Sequence, residues 1–521
     1  PTARPVRRAD GATRVISRFW ITFLILPPLV AMAVLPSFGQ RMVTLIGVYA
    51  LLGVGYQIVF GQLGALNLAQ SALFGVGAYA AALTAPALGV LAIPAAILAA
   101  ALVAAVAAGP TLRLQSHYFA LATLALAALV NLVAVNAESL TGGANGLAVG
   151  TTALAYGGGL MIFVWACLIA AVLVQARLFR GRFGEAARLL REAPLVAATL
   201  GIDGALWRFV GFVVGGAIAG LAGACAATVS GVVSPESTGF SVMVLCLTSV
   251  VLGGSRHPMG AVLGAALAVC LPELFRDLQG AWLLAYAVAT LVVVRWAPEG
   301  LAGLIDRLRG VVPAKPAMPA LPERLPVVAG RQRLVLDKVS KRFGGVEALV
   351  DVSFTLGRGE IVGLVGANGS GKTTLLNVIG GLERADGGTI LLDQTPLERL
   401  PAYAIARAGV GRTFQAATPG EARSVGLLRA IATGAAFLLL DEPAAGASDR
   451  EREQLVGLLG KLRDAGRGAL VVDHDLALLS RVCDRLICLD RGVVVAIGRP
   501  ADVRADRKVR ASFLGLPEEA A

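Results

Sequence analysis

Gly366-Ala-Asn-Gly-Ser-Gly-Lys-Thr373 follows the apolar run Glu360-Ile-Val-Gly-Leu-Val365 and leads into Thr374-Leu-Leu-Asn377. A buried strand running into a glycine-rich turn and then a helix is the context in which G-x-x-x-x-G-K-[ST] binds phosphate. Without a Cβ in the way, successive N–H groups can converge on phosphate oxygens. The positive end of the helix points at the same anion. The pattern predicts a nucleoside triphosphate site with Mg²⁺. Its expected contacts are Gly366, Asn368, Gly369, Ser370, Gly371, Lys372, Thr373 and Thr374. Lys372 is expected on the outer phosphates and the Thr373 hydroxyl on Mg²⁺. The plainer alternative, a strand–turn–helix without a ligand, fits the flanks less well.

The rest of the chain is not that of one soluble protein. Its 521 residues are 56% hydrophobic and only 15% charged, and 63 are glycine, a composition suited to close helix packing in a membrane. The length allows two to four domains. Up to about residue 306 the chain is mostly long apolar runs; beyond about 331 it reads as a soluble α/β domain. The net charge of +12 comes from arginines beside apolar runs, where they orient a membrane protein. No basic stripe interleaved with aromatics points to nucleic acid. Cys167, Cys225, Cys246, Cys270, Cys483 and Cys488 form no C-x-x-C. They read as small hydrophobes rather than metal ligands.

Residues 1–18 carry Arg4, Arg7, Arg8, Arg14 and Arg18 ahead of an apolar run at 19–38 broken by Pro27-Pro28. Further runs stand at 42–60, 68–85, 88–108, 117–137, 159–178, 207–230, 241–254, 259–273 and 280–297. Most approach the roughly 20 residues a span needs, the shorter ones being candidates for broken or re-entrant helices. About ten spans return the chain to its starting side, as estimated from span length. Arg113, Arg177 to Arg191, Arg256, Arg307 and Arg309 share the side of the N-terminus, which the positive-inside rule makes cytoplasmic. The polar stretch from Gly61 to Gln70, with Asn131 and Asn136, reads first as interhelical glue. Charges deep in the spans are absent, which argues against a proton relay and for a small neutral or zwitterionic cargo. The loop from Arg180 to Gly201 is basic and amphipathic and ends in a helix-stopping glycine. It is either an interfacial helix or a docking helix for a soluble domain.

Gly61-Gln-Leu-Gly-Ala-Leu-Asn-Leu-Ala-Gln-Ser-Ala-Leu-Phe-Gly-Val-Gly-Ala-Tyr79 is followed in order by several further segments. These are His117-Tyr-Phe-Ala-Leu-Ala-Thr-Leu124, Leu140-Thr-Gly-Gly-Ala-Asn-Gly146, Ala217-Ile-Ala-Gly-Leu-Ala-Gly-Ala224, Ser234-Pro-Glu-Ser237 and Val251-Leu-Gly-Gly254. The series resembles the permease subunits of branched-chain amino acid ABC importers over most of residues 20–300. The resemblance implies that Glu192 to Gly201 is the coupling loop that contacts the ATPase. It also implies a cargo of leucine, isoleucine, valine or related amino acids and amides.

The proline-rich stretch 311–330 reads as a semi-rigid linker. Beyond it, Phe437-Leu-Leu-Leu-Asp-Glu-Pro443 is a buried strand ending in two carboxylates. Asp441 can hold Mg²⁺ through water, and Glu442 is placed to polarise the attacking water. Lys341-Arg-Phe-Gly-Gly-Val-Glu-Ala-Leu349, Gly409-Val-Gly-Arg-Thr-Phe-Gln415 and Ala469-Leu-Val-Val-Asp-His-Asp475 resemble ABC ATPase segments. The resemblance implies Phe343 stacking on adenine, Gln415 approaching Mg²⁺ and the attacking water, and His474 contacting the γ-phosphate. One departure stands out. Gln415 and Asp441 are only about 26 positions apart, too few for a helical subdomain of several helices at 1.5 Å per residue. Ala417-Thr-Pro-Gly-Glu421 occupies the place of the family's signature, where Pro419 removes an N–H.

The expected architecture is an all-α polytopic membrane domain of about ten transmembrane helices. An α/β P-loop ABC-type ATPase domain with a shortened helical subdomain follows it. The expected divisions are a basic cytoplasmic N-terminus at 1–18, a permease domain at 19–310, the linker at 311–330 and the ATP-binding domain at 331–521. The resemblance implies a bacterial inner-membrane importer of branched-chain or related amino acids. Its expected partners are a second permease–ATPase and an extracytoplasmic solute-binding protein. The altered signature leaves one rival, a nucleotide-gated facilitator or regulatory membrane protein that binds ATP without productive hydrolysis. Export is disfavoured.

Overall fold

The computed structural model describes residues 18–111, 116–149, 158–179, 181–274, 281–310, 332–414 and 423–514. They form two compact units. The first holds the described residues up to Arg191 and those from Ala205 to 310; the second holds Glu192–Gly204 and the described residues from 332 onward. The proposed basic terminus up to 17, the proposed linker from 311 and the residues of the signature region lie outside the described residues.

The first unit is helical: α1 (Arg18–Val34), α2 (Ser37–Tyr56), α3 (Gln70–Leu88), α4 (Ala92–Thr111), α5 (Ser116–Asn136) and the short α6 (Glu138–Thr141). Then come α7 (Gly159–Leu178) and the amphipathic α8 (Gly181–Glu192), and, beyond α9 (Pro194–Thr199) of the other unit, α10 (Gly204–Ser230). The unit closes with α11 (Phe240–Gly253), α12 (Gly260–Leu274), α13 (Ala281–Trp296) and α14 (Gly300–Leu308). A two-residue ladder pairs β1 (Leu147–Ala148) with β2 (Val232–Val233). Among the described residues, five stretches are long and apolar enough to cross a membrane, and one of them, Gln70–Gly109, takes in α3 and most of α4. The sequence run at 241–254 becomes α11, only 14 residues long, and that at 259–273 lies in α12. At 1.5 Å per residue α11 falls short of the roughly 30 Å hydrocarbon core.

Small residues set the helix spacing. Ala96, Ala100, Ala104 and Ala108 line one fully buried face of α4, recurring every fourth position so that they stack on one side. They meet Gly216 and Gly220 of α10, where a Cβ at Gly220 would stand 2.5 Å from that of Ala100. Leu98, Leu102 and Val106 on the other side of α4 are exposed. Buried amides tie the helices together as expected for polar groups away from water. Gln70 Nε2 donates to the Gly215 carbonyl at 3.1 Å, and Asn131 Nδ2 to Thr238 Oγ1 at 2.7 Å. Asn136 differs: it is exposed and bonds only within its own helix, to the Leu132 carbonyl.

The second unit contains two sheets. Strands β3 (Arg333–Phe343), β4 (Val346–Gly357), β6 (Gly387–Leu392) and β7 (Thr395–Pro396) form an antiparallel sheet in the order β4-β3-β6-β7. The other sheet runs β12-β11-β5-β10-β9-β8. It is built from β5 (Ile361–Val365), β8 (Val410–Arg412), β9 (Phe437–Asp441), β10 (Gly468–Val472), β11 (Arg485–Asp490) and β12 (Val493–Gly498). All its ladders are parallel except that between β11 and β12. Strands β5, β9 and β10 are buried at every residue, the reason they read as unbroken apolar runs rather than alternating ones. Helices α15 (Lys372–Ile379), α16 (Ala402–Ala408), α17 (Arg423–Ala432), α18 (Asp449–Asp464), α19 (Leu476–Val482), α20 (Pro500–Ala505) and α21 (Arg507–Leu514) complete the unit. Among the described residues, α17 is the one helix between β8 and β9.

Candidate functional site

Parallel register gathers the site. Leu364 of β5 lies beside Val472 of β10, and Val472 beside Asp441 of β9. The glycine-rich turn, the Asp441-Glu442 pair and Asp473-His474 therefore all leave the carboxyl ends of adjacent strands, where ligands gather in open α/β sheets. The turn requires its glycines. Gly366 has φ of 155° and Gly371 of 103°; an added Cβ would collide with the Leu489 carbonyl at the first and come 2.5 Å from the Ala348 carbonyl at the second. Gly369, with φ of 81°, has open space where its Cβ would be. Asn368, Gly369 and Thr373 are exposed, Gly371 and Thr374 partly so, and Ser370 is buried.

Lys372 opens α15 with 7% of its surface accessible, and its Nζ donates to the carbonyls of Gly366 and Ala367, each at 2.8 Å. Burial pulls this ammonium below the ordinary lysine range, and the charges of Glu442 and Asp441 oppose that. Ser370 Oγ is buried with no hydrogen-bond partner among the described residues.

Asp441 is buried at the end of β9. Its Oδ2 accepts from Arg412 Nη2 at 3.4 Å, while Oδ1 has no hydrogen-bond partner among the described residues. Burial pushes this carboxyl above the ordinary range, and Arg412 holds it down. An orphaned carboxylate oxygen at the end of β9 and the exposed Thr373 hydroxyl at the start of α15 are hard oxygen donors. They fit Mg²⁺, which takes one or two protein oxygens and completes its octahedron with phosphate and water. Glu442 follows in the left-handed region at φ 46°, a conformation that costs energy and clusters at functional sites. Its N–H donates to the Val472 carbonyl at 2.8 Å, and its Oε1 lies 2.9 Å from His474 Nε2. Phe343 ends β3 with its ring 45% exposed and Lys341 Nζ 5.1 Å from the ring centre. Gln415 lies outside the described residues.

Three features were not singled out by sequence. Arg412 is 3% exposed in the short strand β8; the signal was a lone charge between apolar residues and the Thr-Phe-Gln that follows. Asp473 is buried, accepting from the Ala444 N–H through Oδ2 and the Asp475 N–H through Oδ1, so it fixes the turn after Glu442. Third, the ATPase-side residues opposite the expected coupling loop went unnamed: within the second unit α9 packs against α16, where Arg407 Nε donates to the Gly201 carbonyl at 2.9 Å. Gly201 has φ of 82°, the helix-stopping role expected of it.

Comparison with known proteins agrees with both halves. Residues 40–295 match the family model "Branched-chain amino acid transport system / permease component", and residues 349–419 match that of "ABC transporter". The chain is similar to the lipopolysaccharide export system ATP-binding protein LptB of Escherichia coli strain K12, 29% identical over 233 residues. It is equally similar, 29% over 248 residues, to the high-affinity branched-chain amino acid transport ATP-binding protein LivG of Salmonella typhimurium strain LT2. Each match covers 35% of this chain and 97% of the relative. A 35% share of 521 residues is smaller than either aligned length, so both alignments cross gaps in this chain. Among solved structures, a nucleotide-free ATP-binding cassette from an ABC transporter is 22% identical, covering 34% of this chain and 97% of its own, with a TM-score of 0.32. The chain is thus a multi-pass membrane protein in which a permease domain of the branched-chain amino acid transport family is fused to an ABC transporter ATPase domain.

Proposed function

We propose that the chain couples ATP hydrolysis to import of branched-chain or related amino acids across the bacterial inner membrane, with the ATPase domain cytoplasmic. The observation that carries this reading is the convergence of turn, carboxylates and imidazole at the carboxyl ends of adjacent strands, in a chain whose other half matches an amino acid permease. LptB is named for export and LivG for branched-chain amino acid transport, so the direction rests on the permease half and not on the ATPase relatives.

In this reading the N–H groups of Gly366 to Thr374, including those of Asn368, Gly369, Ser370 and Gly371, take the phosphates. Lys372 exchanges its bonds to the loop carbonyls for phosphate oxygens, and Phe343 stacks on the adenine. Thr373, Asp441 and Gln415 hold Mg²⁺, which when bound neutralises charge on the phosphates. Glu442 takes the proton of the attacking water. His474, 2.9 Å from Glu442 through Nε2, keeps that carboxylate oriented and meets the γ-phosphate. Two ATPase domains sandwich each nucleotide in this family, so a second permease–ATPase partner is implied, together with a solute-binding protein on the opposite side of the membrane. The shortened stretch between β8 and β9 weakens the site built on the partner's P-loop and leaves this chain's own P-loop active.

ATP hydrolysis by the reconstituted complex, with and without ligand-loaded binding protein, tests the reading. Hydrolysis that rises with the loaded binding protein supports it. ATP binding without turnover would favour the nucleotide-gated facilitator.

A further inference from the structure

At Tyr56 the α-helical bonding of α2 gives way to a π-helical turn, Gln57–Gln62. A π-turn fits an extra residue into the helix, loosens the pairing of its carbonyls and is frequent at functional sites. This one is held from three directions. Gln57 Nε2 donates to the carbonyls of Gly254 and His257 at 3.0 and 3.2 Å, and Gln62 Nε2 to that of Arg256 at 3.3 Å. Gly61 lies so close to the Ser255 carbonyl that a Cβ would collide with it. Gln175 Nε2 on α7 reaches Gln57 Oε1 at 3.3 Å. From α8, Arg191 Nη1 donates to the Gly61 carbonyl at 2.6 Å, and Gly64, with φ of 70°, leaves room for the Arg191 stem to pass.

The set extends further. His257 Nε2 lies 3.1 Å from Asp306 Oδ2, and Asp306 Oδ1 accepts from Trp20 Nε1 at 3.1 Å. One hydrogen-bonded network therefore joins α1, the π-turn, α7, α8, the loop between α11 and α12, and α14. Arg191 is also the last residue before the chain changes units: Glu192, next in sequence, begins the segment that packs with the ATPase. A charge-assisted bond from a planar guanidinium is shorter and about twice as strong as a neutral one. It is suited to passing on a displacement.

We propose that Arg191 is the positioning residue that couples the segment Glu192–Gly204 to the π-turn of α2. A displacement of that segment reaches the Gly61 carbonyl through Arg191. From there it passes through Gln57 and Gln62 to the 254–257 loop, and so to the ends of α11 and α12 that the loop joins. The inference rests on the transport reading for its purpose, but its geometry stands without that reading, and the test separates the two.

Hydrogen–deuterium exchange of the amides of residues 57–65 is followed in the full-length protein in lipid nanodiscs, with and without ATP–Mg²⁺. Arg191→Met and Arg191→Lys are compared with wild type. The expected result is a nucleotide-dependent change of about tenfold in wild type, in the range of ordinary coupling factors. The methionine variant loses it and the lysine variant largely keeps it, while ATP binding is equal in all three. A merely structural role for Arg191 would raise exchange without nucleotide and leave the response intact. An unchanged response in Arg191→Met, or none in wild type, overturns the proposal. Uptake of leucine by the assembled complex in proteoliposomes is read separately. Failure of wild-type uptake counts against the import reading, and a wild-type uptake that Arg191→Met leaves intact counts against the coupling role.

Discussion

At the scale of single residues, the site depends on charges placed where water is scarce. Lys372→Ala removes the ammonium that spans the glycine-rich turn, and ATP turnover by an assembled complex is expected to fall at least tenfold; unchanged turnover would show that the work is done at the partner's P-loop. Arg412→Met leaves Asp441 buried without its cation. Breaking a buried pair from one side costs about 3 kcal/mol, so the denaturant midpoint of the ATPase domain drops and ATP–Mg²⁺ binding, read by calorimetry, weakens with it. Cys483 and Cys488 carry the opposite lesson. Burial pushes their thiols up to about 12 and about 11, and only the thiolate reacts. At pH 8 iodoacetamide should label both far more slowly in the native protein than in denaturant. Because the folded values lie above the unfolded ones, the stability tied to these protons is full below the ordinary thiol range and is lost as pH climbs towards 11 to 12. The Lys372 turn and the Asp441-Glu442 strand end were legible because each is a contiguous pattern. Arg412 and Asp473 were not, because their partners lie 29 residues away along the chain and meet only through strand register.

At the scale of elements, apolar runs translated into helices and strands with little ambiguity, and the polar punctuation decided where each stopped. Helix α18 opens with a capping box in which Ser448 Oγ accepts from the Glu451 N–H and the Glu451 carboxylate from the Ser448 N–H. Ser448→Ala is expected to cost about 1 kcal/mol, measurable as a shift in the ATPase domain's unfolding midpoint. The same hydrogen bond holds the Glu451 carboxyl below its ordinary value; its contribution is present above that value and fades as pH falls through the lowered one. In the membrane unit the decisive residues are the smallest. Gly220→Val would drive a side chain into Ala100 and the Ala96 carbonyl of α4, and overpacking of this kind costs about 1–3 kcal/mol. A lower melting temperature in detergent would register it. The length of α11 was readable as a short run, whereas the π-turn at Gln57–Gln62 was not. No residue type marks a π-turn, and the extra residue is held there by groups from α7, α8 and the 254–257 loop.

At the scale of the whole molecule, one polypeptide carries a triphosphate site and a bundle of apolar helices, and the segment Glu192–Gly204 belongs with the ATPase unit although it is embedded in the permease sequence. Within that unit α9 rests on α16, which precedes β8. In the proposed function, the site at the carboxyl ends of β5, β9 and β10 powers movement of an amino acid through the helices. The most direct measurement of this is ATP-dependent uptake of radiolabelled leucine by proteoliposomes holding the assembled complex and its binding protein, with wild type compared against Glu442→Gln. The account predicts uptake by wild type that stops without ATP, and at least a tenfold loss in the variant while ATP binding persists. Uptake that proceeds equally well in Glu442→Gln, or without nucleotide, would contradict it.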